Sequence, residues 1–320
     1  MTSQIKVRLL RKSFGVIEAV NGISFDVGMG EVLGFLGPNG AGKTTTMKMI
    51  TGFMPMSAGD VELCGIDIRN DVIKARQHLG YLPEGAPLYG EMTPLALLKF
   101  CAAIRKMPRT LGRRRMDDVI GALELEPVLM RRIDTLSKGF KRRVGLAQAV
   151  LHDPDVLILD EPTDGLDPNQ RHHVRGLIRA MGKTKTIIIS THLLEEVDAV
   201  CSRALIIDKG QVVLEGTPEQ LHAKAGATGS ARVRVRDQQA RQALEVLNIL
   251  PQVSEVSVAE RSDDSQLLRV SGTGTVPLAE ISTALARQGI EMLELSTETG
   301  SLEDVFRSVT SGSTEPVRAS

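Results

Sequence analysis

The segment that most constrains the fold of this chain is GPNGAGKT, residues 37–44. It fits the pattern G-x-x-x-x-G-K-[ST], follows the apolar run VLGFL and precedes a helical stretch, Lys43–Thr51. In that context the glycines let backbone N–H groups face one concave site at a helix N-terminus, where phosphate binds. We therefore predict a phosphate-binding loop, with Lys43 on an exposed loop reaching the β- and γ-phosphates and the Thr44 hydroxyl placed for Mg²⁺. The alternative is a glycine-rich turn with a chance lysine. The predicted loop comprises Gly37, Pro38, Asn39, Gly40, Ala41, Gly42, Lys43, Thr44 and Thr45.

A second apolar run, Val156–Leu159, ends in two adjacent carboxylates, Asp160 and Glu161. A buried strand that ends in acids is what a Mg²⁺ site at the carboxyl edge of a sheet needs. Because Mg²⁺ keeps several of its waters, we expect Asp160 to hold the ion mostly through water. Glu161 would orient and deprotonate an attacking water. The same pattern also describes an ordinary solvated strand end, but the phosphate loop upstream favours the catalytic interpretation.

Length, charge and cysteine content restrict the class of protein. The 320 residues are enough for two domains, and the net charge of zero argues against a protein that coats nucleic acid, so we expect no nucleic-acid partner. Three scattered cysteines, Cys64, Cys101 and Cys201, lack zinc-like or redox spacing and fit a reduced, cytoplasmic setting. Met1–Leu10 lacks the apolar stretch of a signal peptide. Since no apolar run approaches the roughly 20 residues that span a bilayer, we expect that the chain cannot itself form a membrane channel.

Strand and helix signals divide the chain into two predicted domains. Residues 1–225 alternate strand and helix as in an α/β fold, with a mainly helical insertion over about residues 85–150 and a final hairpin that turns at Lys209-Gly210. His222–Ser230 is rich in small residues and is typical of a linker. Residues 226–310 follow the order βαββαβ, a small α+β ferredoxin-like domain, and end in a helix that begins at the capping pair Ser301 and Asp304. We expect residues 311–320 to be a disordered tail.

Further short segments occur in the order that one family requires. Leu136–Phe140, LSKGF, resembles the family signature LSGGQ, and Asp164–Asp167 resembles its D-loop. Ser190–His192 resembles the segment of its switch histidine, Tyr81–Glu84 lies where the family has its Q-loop, and Phe14 lies where it has an aromatic that stacks on adenine. As a set, over residues 1–225, these segments resemble the ATP-binding subunits of ABC transporters. The sequences of these motifs are most similar to those of the gliding-motility and multidrug or polysaccharide export types.

This resemblance implies a P-loop NTPase fold with a helical subdomain, ATP and Mg²⁺ as ligands, and ATP hydrolysis. It also implies a homodimer in which two nucleotide-binding domains close head to tail around two ATP molecules. Each ATP would be held by the phosphate loop of one chain and the signature of the other. The implied partner is a separate transmembrane permease, which would hold the cytoplasmic chain on the inner face of the cell membrane. The subtype favours export as the direction of transport.

The resemblance also assigns roles to single residues. The catalytic set would be Glu161, His192, Glu84 and Lys43, and the Mg²⁺ set Thr44, Asp160 and Glu84. Phe14, Ser137, Gly139 and Asp167 would join the phosphate loop in binding ATP, and the nearby Lys138, Lys141, Arg142 and Arg143 would add positive potential. Four positions depart from the family pattern, because Lys138 replaces a glycine, Phe140 and Glu84 replace glutamines, and Phe14 replaces a tyrosine.

Two other functions fit parts of this sequence. One is a soluble ABC ATPase acting in translation or DNA maintenance. Such chains carry two nucleotide domains, long coiled coils or zinc sites, whereas this chain has one phosphate loop and one signature. The other is a regulatory module that binds nucleotide without turnover, and the presence of Asp160, Glu161 and His192 weighs against it.

Overall fold

The computed structural model describes residues 3–226, 230–262, 264–272, 278–298 and 306, and the chain divides into two compact units, Met1–Pro218 and Glu219–Ser320. The elements of the first unit are, in chain order, β1 Ser3–Phe14, β2 Ile17–Gly28, β3 Val32–Leu36, α1 Lys43–Ile50, β4 Ala58–Leu63, β5 Ile66–Asp67, α2 Val72–Gln77, β6 Leu79–Leu82, α3 Pro94–Ile104, α4 Arg109–Ala122, α5 Lys138–Val150, β7 Val156–Asp160, α6 Pro168–Gly182, β8 Thr186–Thr191, α7 Leu194–Val200, β9 Arg203–Asp208 and β10 Gln211–Gly216. Helix α8, Pro218–Gly226, begins at the boundary. The second unit contains β11 Ser230–Arg236, α9 Ala240–Asn248, β12 Val253–Arg261, β13 Ser265–Gly272, α10 Leu278–Arg287 and β14 Met292–Glu298. Among the residues so described, none of the helices is both long and apolar enough to cross a membrane.

The first unit is built on a six-stranded sheet with the order β10-β9-β3-β8-β7-β6. Its strands are parallel except for the β9–β10 hairpin, which confirms the predicted turn between Asp208 and Gln211. Strands β3, β7 and β8 are buried along their whole length, and for that reason they read as continuous apolar runs in the sequence. Leu36 pairs with Thr191 and Asp160 pairs with Ser190, so the carboxyl ends of these three strands meet at one edge of the sheet.

A second sheet, antiparallel with the order β2-β1-β4-β5, has no counterpart in the sequence-based prediction. Strands β1 and β2 contain register shifts along their pairing, which interrupt the two-residue alternation by which a strand is recognised in a sequence. Buried side chains of this sheet, such as Ile5 and Val7, belong to one core with Phe35 of the large sheet. Phe25 contacts Phe35 edge to face, with 5.0 Å between the ring centroids. The two sheets therefore stabilise each other and hold β3 in place.

The predicted helical insertion is confirmed, because α3, α4 and α5 occupy the segment between β6 and β7. Helix α5 begins where the Ser137 hydroxyl accepts a hydrogen bond from the N–H of Phe140 at 3.3 Å. Helix α6 begins in the same way, since the Asp167 carboxylate accepts from the N–H of Gln170 at 2.9 Å. Two residues assigned to ATP binding by the resemblance are thus helix caps.

The second unit has the predicted βαββαβ order. Its strands form one antiparallel sheet in the order β12-β13-β11-β14, the arrangement of a split βαβ fold. Helices α9 and α10 bury Leu247, Ile281 and Leu285 in its core. The predicted linker is wrong in its first half, because α8 continues through HAKAG to Gly226, and alanine and lysine favour helix. The predicted helix start at Ser301 and Asp304 and the tail 311–320 lie outside the described residues.

Candidate functional site

The loop 37–44 turns sharply between β3 and α1, and glycine is required at two of its positions. A side chain at Gly37 would collide with the main-chain oxygen of Ile207. Gly42 has φ +101°, and a Cβ there would lie 2.5 Å from the main-chain oxygen of Ala19. Gly42 is also the N-cap of α1, so the unpaired N–H groups of the first helical turn face the loop. This is the local geometry that binds an anionic phosphate.

Lys43 is the first residue of α1 and only 7% exposed, which corrects the prediction of an exposed loop position. Its Nζ donates hydrogen bonds to the main-chain oxygens of Gly37 at 2.7 Å and Pro38 at 3.1 Å. Burial lowers the pKa of the Lys43 ammonium, and the charges of Glu161, Asp160 and Glu84 oppose that shift. The predicted lysine and the predicted carboxylates therefore share one electrostatic environment.

The acidic strand end lies at the carboxyl edge of β7. Asp160 is 1% exposed, and its Oδ1 accepts a hydrogen bond from the Ser190 hydroxyl on β8. Its Oδ2 is buried and has no hydrogen-bond partner within the described part of the chain. Across the loop, the Thr44 hydroxyl lies 3.5 Å from Oε2 of Glu84, which is exposed. Asp160 thus offers one unsatisfied carboxylate oxygen, Thr44 and Glu84 lie beside each other, and the charges of Asp160 and Glu84 both act on Lys43.

Glu161 and His192, which the resemblance placed in the catalytic set, are in contact. Both carboxylate oxygens of Glu161 lie 3.0 Å from Nδ1 of His192, which follows β8. Because an ionised carboxylate can only accept, Nδ1 carries the proton of this bond. Burial raises the pKa of Glu161, the hydrogen bond and charge of His192 and the charge of Lys43 lower it, and the charge of Glu196 raises it further. A carboxylate with a raised pKa is a better proton acceptor than a solvated one.

The structure connects the signature residues with the D-loop. Gly139 is buried, and a Cβ there would lie 2.8 Å from Oε1 of Gln170 and 3.3 Å from Leu166. Lys138, the replacement for the usual glycine, forms an ion pair with Asp164 at 2.9 Å. In the part of the chain that is described, the polar contacts of Ser137 and Lys138 stay within residues 137–164, and none reaches the phosphate loop. One chain therefore presents its signature and D-loop as one surface, with the Ser137 hydroxyl and Asp167 exposed.

The remaining predicted binding residues occupy the edges of the site. Asn39 and Gly40 are exposed at the tip of the loop, Ala41 is buried, and Thr45 is half-buried in the first turn of α1. Phe14, at the end of β1, keeps nearly half of its ring exposed, and Lys12 Nζ lies 5.1 Å from the ring centroid. An exposed aromatic face of this kind is able to stack on a planar ring.

Two of the four basic residues near the signature are buried and do not supply the predicted surface potential, and Lys138 is exposed but paired with an acid. Arg142 is buried and donates to the main-chain oxygens of Pro83 at 3.1 Å and Asp160 at 3.4 Å. Arg143 is buried, donates to the main-chain oxygen of Leu123 at 3.1 Å and stacks on Phe140 at 4.2 Å. Lys138 is held by Asp164. Arg142 instead connects the Q-loop with the end of β7, and its Nη2 lies 3.6 Å from Oδ2 of Asp164.

Sequence reasoning missed a buried carboxylate behind the Glu161–His192 pair. Glu196, on α7, is 2% exposed and accepts a hydrogen bond from the Thr163 hydroxyl. Arg175 Nη2 lies 3.9 Å from the same carboxylate. Thr163 is two residues after Glu161, and Glu196 is four residues after His192, so this bond connects the two segments that carry the pair. The sequence contains no periodic signal that distinguishes Glu196 from the exposed Glu195 beside it.

Comparisons with known proteins show what this chain is similar to. The family model described as "ABC transporter" matches residues 20–164. The ABC transporter ATP-binding protein YhcH of Bacillus subtilis is 33% identical over 322 residues, covering 99% of this chain and 99% of that protein. The Nod factor export ATP-binding protein I of Burkholderia orbicola is 39% identical over 218 residues, covering 68% of this chain and 72% of that protein. A solved structure of an ATP-binding subunit of an ABC transporter is similar with a TM-score of 0.65 and 29% identity, covering 70% of this chain and 94% of that one.

Proposed function

Because this chain belongs to the ATP-binding proteins of the ABC transporter family and is an ATPase of that family, we propose that it drives export through a separate membrane permease. The observation that carries the catalytic part is the convergence of Lys43, Asp160 and the Glu161–His192 pair at one sheet edge. Export is supported by a relative whose name states it, the Nod factor export ATP-binding protein I. The permease would hold the chain at the inner face of the membrane.

ATP would bind with its phosphates on the loop 37–44. The N–H groups at the start of α1 and the ammonium of Lys43 would contact the β- and γ-phosphates, and Lys43 would exchange its bonds to Gly37 and Pro38 for phosphate oxygens. The exposed face of Phe14 would stack on the adenine. Since several charge-assisted hydrogen bonds form at once, this loop would supply most of the affinity.

The side chains of the site fit a Mg²⁺ ion. Asp160 offers a buried oxygen with no hydrogen-bond partner among the described residues, and Thr44 and Glu84 add two more oxygens. When bound, Mg²⁺ supplies neutralisation of the charge on the β- and γ-phosphate oxygens. Glu84 contributes a full negative charge where the family has a neutral glutamine, so this chain would bring one more anionic donor to the ion.

In hydrolysis, Glu161 would accept a proton from a water as the oxygen of that water bonds to the γ-phosphorus. The bond between the γ-phosphorus and the bridging oxygen then breaks, which leaves ADP and phosphate. His192 would orient the carboxylate through its Nδ1–H, and the raised pKa of Glu161 favours the transfer. Thr163 and Glu196 would hold both segments in register.

The ATP site would be completed by a second copy of the chain. Ser137 and the N–H groups at the start of α5 lie on the exposed surface that the signature shares with the D-loop. A helix start of this kind is able to contact the γ-phosphate bound to another chain. Asp167 caps α6 on the same connected segment. We propose a head-to-tail homodimer with two such shared sites.

An apolar groove beside the site would receive the permease. It encloses about 590 Å³ between α2, β6, α3 and α5, and its walls include the exposed side chains of Phe53, Tyr89, Phe100 and Ile104. Glu84 also lines this groove, and its carboxylate lies 3.5 Å from the Thr44 hydroxyl. A helix of the permease that filled the groove would therefore contact the segment that senses the nucleotide. Such a contact would couple ATP binding to transport.

Co-purification tests the permease interaction. The chain is expressed with the membrane permease under test, and Ile104→Asp is compared with Ile249→Asp, an equally polar change at an exposed isoleucine of the second unit. We expect Ile104→Asp to reduce co-purification at least about tenfold, because a charge would enter a desolvated contact, while ATP binding stays unchanged. Equal capture by both variants would exclude the groove, and capture of ribosomes or DNA instead of a membrane protein would exclude transport.

A further inference from the structure

A cysteine, a histidine and an aspartate that are far apart in the sequence meet on the surface of the first unit, away from the residues assigned to ATP. Cys64 lies in the turn between β4 and β5, His78 follows α2, and Asp155 precedes β7. The Cys64 sulfur, one nitrogen of His78 and one carboxylate oxygen of Asp155 all lie within 4.8 Å of one another. We propose that these three side chains bind a Zn²⁺ ion.

The main chain places these side chains independently of any ligand. His78 and Asp155 lie directly before Leu79 and Val156, which are paired residues of β6 and β7, and the N–H of Val156 donates to the oxygen of His78 at 3.0 Å. Cys64 has φ +50°, and its N–H donates to the oxygen of Gln4 at 2.7 Å. The site is therefore formed by the folding of two sheets, and its ligands need little ordering when a metal binds.

The set of ligand atoms suits zinc. A thiolate, an imidazole and a carboxylate are its usual protein ligands, at about 2.0–2.3 Å from the ion, and a water often completes the tetrahedron. Tetrahedral ligands at those distances lie roughly 3.3–3.8 Å apart. Ligand atoms that now lie up to 4.8 Å apart would therefore approach by at most about 1.5 Å, whereas His78 Nδ1 and Asp155 Oδ2, now 2.7 Å apart, would separate slightly. The Asp155 and His78 side chains are 63% and 40% exposed, which leaves a route for the ion and room for a water. Softer ligands such as thiolate disfavour Mg²⁺ and Ca²⁺ at this position.

A metal would bind where two of its ligands are already in contact. His78 Nδ1 and Asp155 Oδ2 are paired at 2.7 Å. A divalent cation replaces the thiol proton, bonds to the resulting thiolate and compensates the carboxylate charge at the same place. Zinc would then cross-link the β4–β5 turn of the antiparallel sheet to the starts of β6 and β7.

Cobalt absorption tests this site directly, because a thiolate bound to Co²⁺ gives a charge-transfer band. The full-length chain, without an affinity tag or nucleotide, is reduced, stripped with a chelator and titrated with Co²⁺. We expect the band to saturate at one equivalent and to disappear when Zn²⁺ displaces cobalt. Cys64→Ser should abolish the band, and Asp155→Asn should weaken binding at least about tenfold. The matched control is Cys101→Ser, a change at another half-buried free thiol, which should leave the titration unchanged.

Thermal melting supplies a second readout. At a hundredfold excess over its dissociation constant, Zn²⁺ should raise the melting temperature of the wild-type chain by roughly 5–10 °C, and that of Cys64→Ser should not move. No charge-transfer band in the wild-type chain would overturn the proposal, whether or not the variants fold. A band that persists in Cys64→Ser but is lost in Cys101→Ser would also overturn it, because the thiolate would then come from elsewhere.

Discussion

Replacing Glu161 with glutamine isolates the proposed proton acceptor. Glutamine keeps the volume of a side chain that is largely buried and held by both oxygens against His192. It removes the carboxylate that we propose accepts a proton from water. A general base contributes about 10²–10⁴-fold in rate, which corresponds to roughly 3–5 kcal/mol of barrier. We therefore expect phosphate release to fall by at least a hundredfold.

The same change should not weaken ATP binding. Glu161 is one of three carboxylates whose charges act on Lys43, so its neutralisation leaves less negative potential where the phosphates bind. The variant should accumulate with ATP bound, and in the proposed homodimer the ATP would bridge two chains. Gel filtration with and without Mg-ATP, beside a phosphate-release assay, measures both effects. Glu195→Gln, at the exposed neighbouring acid, is the matched control and should retain wild-type turnover.

Two outcomes would refute parts of this reasoning. Hydrolysis by Glu161→Gln within a factor of two of the wild-type rate would remove Glu161 from the proton transfer. An inactive variant that binds ATP but stays monomeric would keep that role and contradict the ATP-bridged homodimer of the isolated chain. The two measurements therefore separate the chemistry of one site from the assembly of two chains.

Lys43→Ala and Ser137→Arg chains should each lack ATPase activity alone and regain part of it when mixed, because a mixed dimer contains one intact shared site. Mixed dimers that form but show no ATPase activity would contradict a shared site that works alone. Thr163→Val removes a hydrogen bond to the buried Glu196 carboxylate, worth about 1.5–3 kcal/mol, and should lower the melting temperature by roughly 3–12 °C, whereas Thr163→Ser should restore it. Burial lowers the pKa of His152 from 6.5 to about 4, so the unfolded chain takes up this proton first as the pH falls. The free energy of unfolding should then fall by up to about 3 kcal/mol as the pH falls from 6.5 to 4. In urea titrations, His152→Gln should reduce that loss, whereas His172→Gln, a change at an exposed histidine, should not.

The phosphate loop and the buried strands could be predicted because their signals are local. A strand, a glycine-rich turn and a helix follow one another between Val32 and Ile50, so one contiguous stretch contains the whole motif. Strands β3, β7 and β8 are covered on both faces and therefore read as apolar runs. The βαββαβ order of the second unit could likewise be predicted, because its apolar residues alternate in the strands and recur at helical spacing in the helices.

Features that depend on the register between distant segments could not be predicted from the sequence. The antiparallel sheet was missed because its long strands contain bulges that break the alternation. Arg142 and Arg143 resembled surface charges, yet both are buried and bound to main-chain oxygens that only the fold brings near. Linker residues His222–Gly226 belong to a helix, because helix formers outweighed the small-residue composition.

The sequence by itself determined the family, the phosphate loop and the identity of the acids at the end of β7, since each is encoded by neighbouring residues. Only the tertiary structure decided which side chains meet across strands: Glu161 with His192, Thr163 with Glu196, and Cys64 with His78 and Asp155. The physical reason is that these contacts join residues between 14 and 91 positions apart. Sheet register and helix packing set their distances, and no local pattern of residues records either.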